Sequence, residues 1–220
     1  RMVGDCSPQL IITVDNGIAA KVEVAWLRDQ GIDVVITDHH EPADLVPEGV
    51  PVADPKIEQE CPSRELAGAG VALKLLQELG RRRGQPDVWR PYTELACLGT
   101  ISDMMLLTGE NRALVMDGIE RLRHTGRPGI VALCATAHVD LSQVTADSLP
   151  FSLIPRLNAA GRMGETGVAF ELLYTNDPIE ATTLAGRLEI INTERRAMEA
   201  SLAEEAFEKV DASYQGERAI

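Results

Sequence analysis

Two short apolar runs joined by an amphipathic stretch constrain the fold of this chain more than any other feature. Residues 10–14 (LIITV) and 32–37 (IDVVIT) are rich in β-branched side chains, and residues 19–30 between them have helical periodicity. A strand, a helix and a strand in this order form a βαβ unit, whose strands are parallel and whose sheet is covered by helices on both faces. Ligands of such sheets bind beyond the carboxyl ends of the strands.

The rest of the chain is predicted to be mainly helical. Five prolines between residues 41 and 64 indicate a long loop, with one short strand near residues 50–53. Helical periodicity then recurs at residues 70–83, 94–101, 111–123 and 128–137. Together these elements predict an α/β fold, a parallel sheet with flanking helices followed by a helical subregion.

A long helix is predicted near the C-terminal end of the sequence. Asp177 and Pro178 are typical of a helix N-terminus, and Gly186 is the only proline or glycine between them and Gly216. A helix of about 30 residues would extend about 45 Å, so we expect it to reach another domain. The expected organisation is an α/β core at residues 1–110, a helical part at 111–176, a connecting helix at 177–212 and the start of a further domain at 213–220.

Composition narrows the class of protein. The 220 residues are 45% hydrophobic, which is enough to bury a core. No run approaches the roughly 18 apolar residues of a membrane span, and the first residues lack the apolar segment of a signal peptide, so we expect a cytoplasmic protein. The four cysteines are far apart and include no CxxC pair, so we expect reduced thiols, mostly in the core.

The charge of the chain limits how it can bind a polyanion. Its formal net charge is −13, whereas non-specific affinity for nucleic acid comes from cations that neutralise phosphates. Nucleic acid would therefore have to meet a local basic groove. Aromatic residues make up only 4% of the chain, so we expect little base stacking.

Acidic and imidazole side chains follow both strands of the βαβ unit. Asp15 follows the first strand, and Asp38, His39 and His40 follow the second. The carboxyl ends of parallel strands share one edge, so we expect these groups to converge. One histidine can then bind a divalent metal while the other faces a phosphate. Each motif alone also has a structural explanation, a tight turn for the first and a solvated loop for the second.

Asp103 adds a third candidate to this set, because it stands where a predicted helix gives way to a loop. A loop aspartate at a helix end is the simplest explanation for it in isolation. A set of carboxylates and imidazoles with few cysteines suits Mn²⁺ or Mg²⁺ better than a structural zinc ion.

Four segments, in this order and spacing, resemble the DHH phosphoesterases and specifically the RecJ exonucleases: ITVDNG, TDHH, LGTISDMMLLTGENR and LIPRLNAAGRM. The resemblance runs from residue 10 to the end of the sequence. The first two segments are typical of the superfamily, whereas AGAG at 67–70 and PRLNAAGRM at 155–163 are more specific to RecJ. The resemblance implies a metal-dependent 5′-to-3′ exonuclease that acts on single-stranded DNA in repair and recombination.

The resemblance also implies roles for individual residues around two Mn²⁺ or Mg²⁺ ions. Asp15 would bridge both ions, and His39 and Asp103 would complete the ligands of one. His40 would contact the scissile phosphate, and Asp38 would orient the histidines. Two such cations can activate a water molecule and stabilise the charge that develops on the phosphate.

Family members carry an Asp-x-Asp motif on a strand upstream of the Asp15 motif, and this sequence starts too late to include it. We therefore expect an N-terminally truncated metal site. The chain by itself should bind Mn²⁺ weakly and should not cleave DNA.

The segment at 155–163 is expected to face DNA. Arg156, Asn158 and Arg162 are assigned to phosphate or DNA binding, because arginine forks suit bidentate phosphate contacts and the small residues between them allow close approach. The alternative is that the arginines pair with nearby acids such as Glu165.

Gly68 and Gly70 are also assigned to phosphate binding, because they precede a predicted helix whose backbone amides can bind an anion. Tight packing between the loop and the helix explains these glycines at least as well.

Two other functions stay open, and a third lacks the motif that it would need. Another DHH enzyme, such as a family II inorganic pyrophosphatase or a nano-RNA phosphodiesterase, shares the metal motifs. A non-catalytic DHH-like replication scaffold would have lost metal ligands that are present here. A nucleotide-binding module without metal would need a glycine-rich phosphate loop after a strand, and the sequence has none.

The expected partner is single-stranded DNA, with single-strand-binding protein and a helicase as further candidates. We expect a monomer and no membrane contact.

Overall fold

The computed structural model describes residues 6–42 and 44–213. Its contacts divide the chain into two compact units, one ending at Arg123 and the other beginning at His124. The first unit contains the predicted α/β core, and the second is helical. The predicted domain bounds at 110, 176 and 212 stay a prediction. Within the described residues, no helix is both long enough and apolar enough to cross a membrane.

The first unit is built on a parallel sheet with strand order β1-β2-β3. Its strands are β1 (Leu10–Val14), β2 (Asp33–Thr37) and β3 (Val52–Ala53). Helix α1 (Lys21–Asp29) joins β1 to β2, which confirms the predicted βαβ unit. Because all three strands run in the same direction, their carboxyl ends lie along one edge of the sheet.

The two faces of the sheet are not buried equally. Val24 of α1 packs against Val34 and Ile36 of β2, and these three side chains form a buried cluster. In β1, by contrast, Leu10, Ile12 and Val14 are about half exposed. The expectation that both faces are covered therefore holds for β2 but not for β1, because the described residues cover its alternate side chains only in part.

The remaining helices of the first unit begin one or two residues earlier than the periodicity predicts. They are α2 (Gly68–Arg82), α3 (Thr93–Ser102) and α4 (Gly109–Arg123). Helix α3 packs against both α2 and α4. Asp103 is the residue that ends α3, as predicted.

The second unit is organised around its longest helix. Its helices are α5 (Pro128–Thr136), α6 (Leu153–Arg162), α7 (Thr166–Tyr174) and α8 (Pro178–Ser213). Helix α8 packs against the other three. Its N-terminus has the predicted cap, because the Asp177 carboxylate accepts a hydrogen bond of 2.8 Å from the amide of Ile179.

Helix α8 runs for 36 residues, somewhat longer than predicted. Every described residue from 197 onward is exposed, so the first half of the helix does the packing in this unit. That it reaches another domain stays a prediction, and residues 214–220, where a further domain was expected to start, lie outside the described residues.

Candidate metal centre

Three of the predicted ligands meet at the carboxyl edge of the sheet. Asp15 follows β1, His39 lies two residues beyond β2, and Asp103 ends α3. The Nε2 atom of His39 is 2.9 Å from Asp15 Oδ1 and 3.5 Å from Asp103 Oδ2. The imidazole is only 7% exposed, whereas the two carboxylates are about half exposed. The cluster therefore has a buried imidazole at its base and carboxylates that solvent or a ligand can reach.

The backbone around Asp15 is shaped to present this carboxylate. Asp15 has a φ of 59°, in the left-handed region that non-glycine residues seldom adopt, and Gly17 follows at 113°. The side chain packs directly on Gly68 at the start of α2, where a Cβ atom would lie 2.5 Å from the Cβ of Asp15. Gly68 therefore provides the tight packing given above as its structural explanation, and its role in binding an anion stays a prediction. A Cβ on Gly70 would meet only the Leu66 side chain.

Asp38 is fully engaged within the protein. It is 1% exposed, and its carboxylate accepts hydrogen bonds from the amides of Ile18 (2.9 Å) and His39 (2.8 Å). It also contacts the Nδ1 atom of His40 at 2.7 Å. Burial works to raise the pKa of Asp38, but these hydrogen bonds outweigh it and hold the pKa below its usual value. Asp38 is therefore a carboxylate that orients the His40 ring and fixes the turn after β2.

His40 presents the other side of its ring to solvent, since its side chain is 60% exposed. The hydrogen bond to Asp38 raises the pKa of His40, and the charges of Asp15 and Asp103 add to this effect against partial burial. Donor atoms of Asp15, His39 and His40 all lie within 4.8 Å of one another. A group facing out of the cluster and biased toward its cationic form suits contact with an anion.

The donor set fits a hard divalent cation. Neighbouring ligands of an octahedral ion with bonds of about 2.0–2.1 Å stand about 3 Å apart, and the separations of 2.9 and 3.5 Å around His39 Nε2 are close to that value. Two carboxylates and one imidazole are also ligands that Mn²⁺ accepts. Asp15 and His39, together with Asp103 or His40, are thus the residues that could hold an ion.

The predicted DNA-binding residues lie on α6, in the second unit. The Arg156 guanidinium is largely buried, forms an ion pair with Glu189 and donates a 2.7 Å hydrogen bond to the carbonyl oxygen of Ser152. Acid pairing, the alternative explanation, is therefore present for Arg156, with Glu189 as its partner. Asn158 is exposed.

Arg162 is the more accessible of the two arginines. Its side chain is 66% exposed, and its guanidinium is 3.7 Å from Glu199. Glu165, the acid that the sequence suggested, pairs instead with Arg187 at 2.6 Å. DNA binding by these residues stays a prediction.

Asp54 is a further carboxylate at the edge of the sheet, and it belongs to none of the motifs. It directly follows β3 and is 8% exposed. Its position after a third parallel strand is the sequence signal that identifies it.

Comparison with known proteins gives one consistent family. Residues 2–100 match the DHH family, N-terminal domain. The single-stranded-DNA-specific exonuclease RecJ of Bacillus subtilis is 40% identical over 214 residues, covering 96% of this chain and 26% of that protein. The protein of the same name from Escherichia coli is 38% identical over 212 residues, covering 90% of this chain and 37% of that protein.

Solved structures that resemble this chain are also RecJ proteins. The crystal structure of RecJ from Thermus thermophilus in complex with Mn²⁺ has a TM-score of 0.82 at 36% identity, and the match covers 90% of this chain and 30% of that one. The corresponding complex with Mg²⁺ has a TM-score of 0.70 at 32% identity. The chain thus spans well under half the length of these relatives, while they match nearly all of it. Residues 2–100 thus match the N-terminal domain of the DHH family, and the chain is similar to the RecJ proteins over nearly all of its length.

Proposed function

We propose that this chain is part of a metal-dependent 5′-to-3′ exonuclease that hydrolyses phosphodiester bonds of single-stranded DNA. The observation that carries the proposal is the cluster of Asp15, His39 and Asp103, in a chain whose relatives over at least 90% of its length are named single-stranded-DNA-specific exonucleases. Mn²⁺ or Mg²⁺ is the proposed cofactor, since the Thermus relative binds both. A cytoplasmic role in DNA repair and recombination is the finer part of the proposal.

The residues of the cluster have two different roles, metal binding and phosphate contact. Asp15, His39 and Asp103 hold the metal, and the buried ring of His39 gives it a fixed point of attachment. Bound divalent ions would activate the attacking water and neutralise charge on the phosphate. His40, held by Asp38 and exposed to solvent, contacts the scissile phosphate.

DNA contact is assigned to residues beyond the metal ligands. Arg162 is exposed enough to reach a phosphate, and Asn158 is exposed on the same helix. Arg156 would have to exchange its pairing with Glu189 for a phosphate. The first turn of α2, at Gly68 and Gly70, contributes backbone amides.

The wider organisation is also proposed. The α/β core ends near residue 110, the helical part near 176, and α8 connects to a further domain. The protein acts as a monomer on single-stranded DNA, with single-strand-binding protein and a helicase as candidate partners. The 220 residues by themselves bind Mn²⁺ weakly and do not cleave DNA.

The test uses the full-length protein that contains this chain. It should degrade a 5′-phosphorylated single strand from the 5′ end in the presence of Mn²⁺ and leave pyrophosphate and dinucleotides largely intact. His39→Ala should weaken Mn²⁺ binding measured by calorimetry, whereas His40→Ala should keep Mn²⁺ affinity within about twofold and lose at least about 100-fold in cleavage rate, as removal of a group acting on the reacting phosphate does.

Asp33→Asn is the matched control, because Asp33 is exposed at the opposite end of β2. It should leave both quantities unchanged. Preferential hydrolysis of pyrophosphate or dinucleotides would assign the protein to another DHH activity. Full cleavage by His40→Ala would remove the proposed division of roles.

A further inference from the structure

The ring of His39 is held on one side only. Its Nε2 atom faces the Asp15 and Asp103 carboxylates, whereas its Nδ1 atom is buried and has no hydrogen-bond partner among the described residues. A buried polar atom is almost always hydrogen-bonded, because leaving it unpaired costs the free energy of its lost hydration. A histidine that binds metal through one ring nitrogen ordinarily donates the other N–H to a carboxylate, a carbonyl oxygen or water.

Asp38 is not the group that supplies this acceptor. Its Oδ2 atom receives the amide of Ile18, and its Oδ1 atom receives the amide of His39 and the ring of His40. Its hydrogen bonds therefore go to the backbone of His39 and to the neighbouring ring, and none goes to the ring of His39.

Asp54 stands at the same edge of the sheet, level with Asp38, the residue that precedes His39, and one of its carboxylate oxygens has no described partner. The register of the parallel pair places Thr37 opposite Ala53, and the amide of Asp38 donates to the carbonyl oxygen of Ala53 at 3.2 Å. The segment that follows β2 and leads to His39 therefore runs beside the segment that follows β3 and contains Asp54.

The carboxylate of Asp54 has one engaged and one unpaired oxygen. Oδ1 accepts the amide of Lys56 at 2.8 Å, whereas Oδ2 is buried without a partner in the described structure. Burial raises the pKa of Asp54, and the charge of His39 is among the influences that oppose this rise, which is consistent with two side chains near each other but not in contact. The carboxyl edge of the sheet therefore carries a buried donor, the Nδ1–H of His39, and a buried acceptor, the Oδ2 of Asp54, and neither has a described partner.

We propose that Asp54 is the positioning residue of His39: a single water molecule accepts the hydrogen bond of the His39 Nδ1–H and donates one to the Oδ2 atom of Asp54. This inference rests on the proposed role of His39 as a metal ligand. The hydrogen bond keeps the proton on Nδ1, so that the lone pair of Nε2 points toward the ion, and it fixes the rotation of the ring. Loss of a carboxylate in this position typically costs 10- to 100-fold in metal affinity.

The decisive variant is Asp54→Asn, which keeps the shape and an oxygen for the Lys56 amide. Its amide NH₂ cannot accept the hydrogen bond that the bridging water donates to Oδ2 in the wild type. In the full-length ¹⁵N-labelled protein loaded with diamagnetic Mg²⁺, which takes the place of a proton on Nε2, we expect a protected Nδ1–H resonance of His39 in the wild type and its loss in the variant. Calorimetry should show Mn²⁺ binding about 10- to 100-fold weaker in the variant.

Two controls separate this role from simpler ones. Thr13→Val removes another buried oxygen without a described partner, and Asp33→Asn makes the same charge change at the far end of β2. Both should retain the Nδ1–H resonance and Mn²⁺ affinity within about twofold. A merely structural Asp54 would lower the unfolding temperature on substitution without moving either quantity.

The wild type alone can overturn the proposal. If His39 carries no proton on Nδ1 in the Mg²⁺-loaded wild type, Asp54 does not position it, whether or not the variant folds. If the Nδ1–H resonance is present and depends on Asp54 while Mn²⁺ does not bind, the hydrogen bond stands and the metal role proposed for His39 fails.

Discussion

Replacing Gly68 by alanine should damage the metal centre without touching a ligand. The new Cβ would lie 2.5 Å from both Cβ and Cγ of Asp15. Carbon atoms in contact stand about 3.5–4.0 Å apart, so one side must move by roughly 1 Å. Rotation of the Asp15 side chain does not relieve the clash, because Cβ does not move when χ1 changes. The backbone of Asp15 or the start of α2 must shift.

The size of the effect follows from two opposing terms. Overpacking of this kind costs about 1–3 kcal/mol, whereas alanine in place of glycine in a helix gains about 0.5–1 kcal/mol. The net loss of up to about 2.5 kcal/mol should lower the unfolding temperature by up to about 10 °C for a unit of this size. A 1 Å displacement also breaks the 2.9 Å separation between Asp15 and His39, so Mn²⁺ affinity should fall at least about tenfold.

Gly70→Ala is the matched control in the same helix. Its Cβ would meet the flexible end of Leu66 at 3.0 Å, so it should bind Mn²⁺ normally and match or exceed the wild type in stability. Thermal unfolding and calorimetric titration with Mn²⁺ measure both variants. Equal Mn²⁺ affinity in Gly68→Ala and Gly70→Ala would show that the contact between Gly68 and Asp15 does not shape the site.

The remaining predictions concern buried thiols and acid stability. Burial raises the pKa of Cys97 to about 12 and of Cys134 to about 11, so at pH 8 a thiol reagent should modify only the other two cysteines until denaturant is added. Burial opposes ionisation of Glu110, but hydrogen bonds from Lys74 and Ser63 lower the pKa of Glu110 below the ordinary 4.5. Its stabilising effect is thus present above pH 4.5 and lost as the pH falls through the lowered value, so Glu110→Gln should flatten the acid side of a plot of unfolding temperature against pH.

The sequence was most informative where side-chain patterns are local. The two strands, the crossover helix and the capped start of α8 were predicted because β-branched runs, helical periodicity and an Asp-Pro pair act on the chain that contains them. The same patterns do not distinguish an edge strand from a central one. The half-exposed Ile12 of β1 was therefore unexpected, since its apolar run is as continuous as that of a buried strand.

Helix α6 shows the opposite limitation. Pro155 and Gly161 are poor helix formers, and no periodic helix was predicted there. In the structure, Leu153, Ile154 and Ala159 are buried, and packing against α8 holds the segment in a helix. Tertiary contact outweighs local preference here.

The candidate site was predictable in part. Asp15 and His39 follow from the rule that parallel strands share a carboxyl edge, whereas Asp103 arrives from a helix far along the chain and was placed by resemblance. Asp54 was not singled out, because a lone carboxylate after a two-residue strand forms no motif.

The ligand groups of this centre are far apart along the chain, so metal binding is coupled to folding. Its three ligand groups come from positions 15, 39 and 103, so in the unfolded polypeptide they are dispersed, and only the folded first unit offers them together. An ion that binds there acts as a reversible cross-link between these groups. It stabilises the native state by about 2.7 kcal/mol at a concentration 100 times its dissociation constant. Chelators would then loosen the same unit that carries the chemistry.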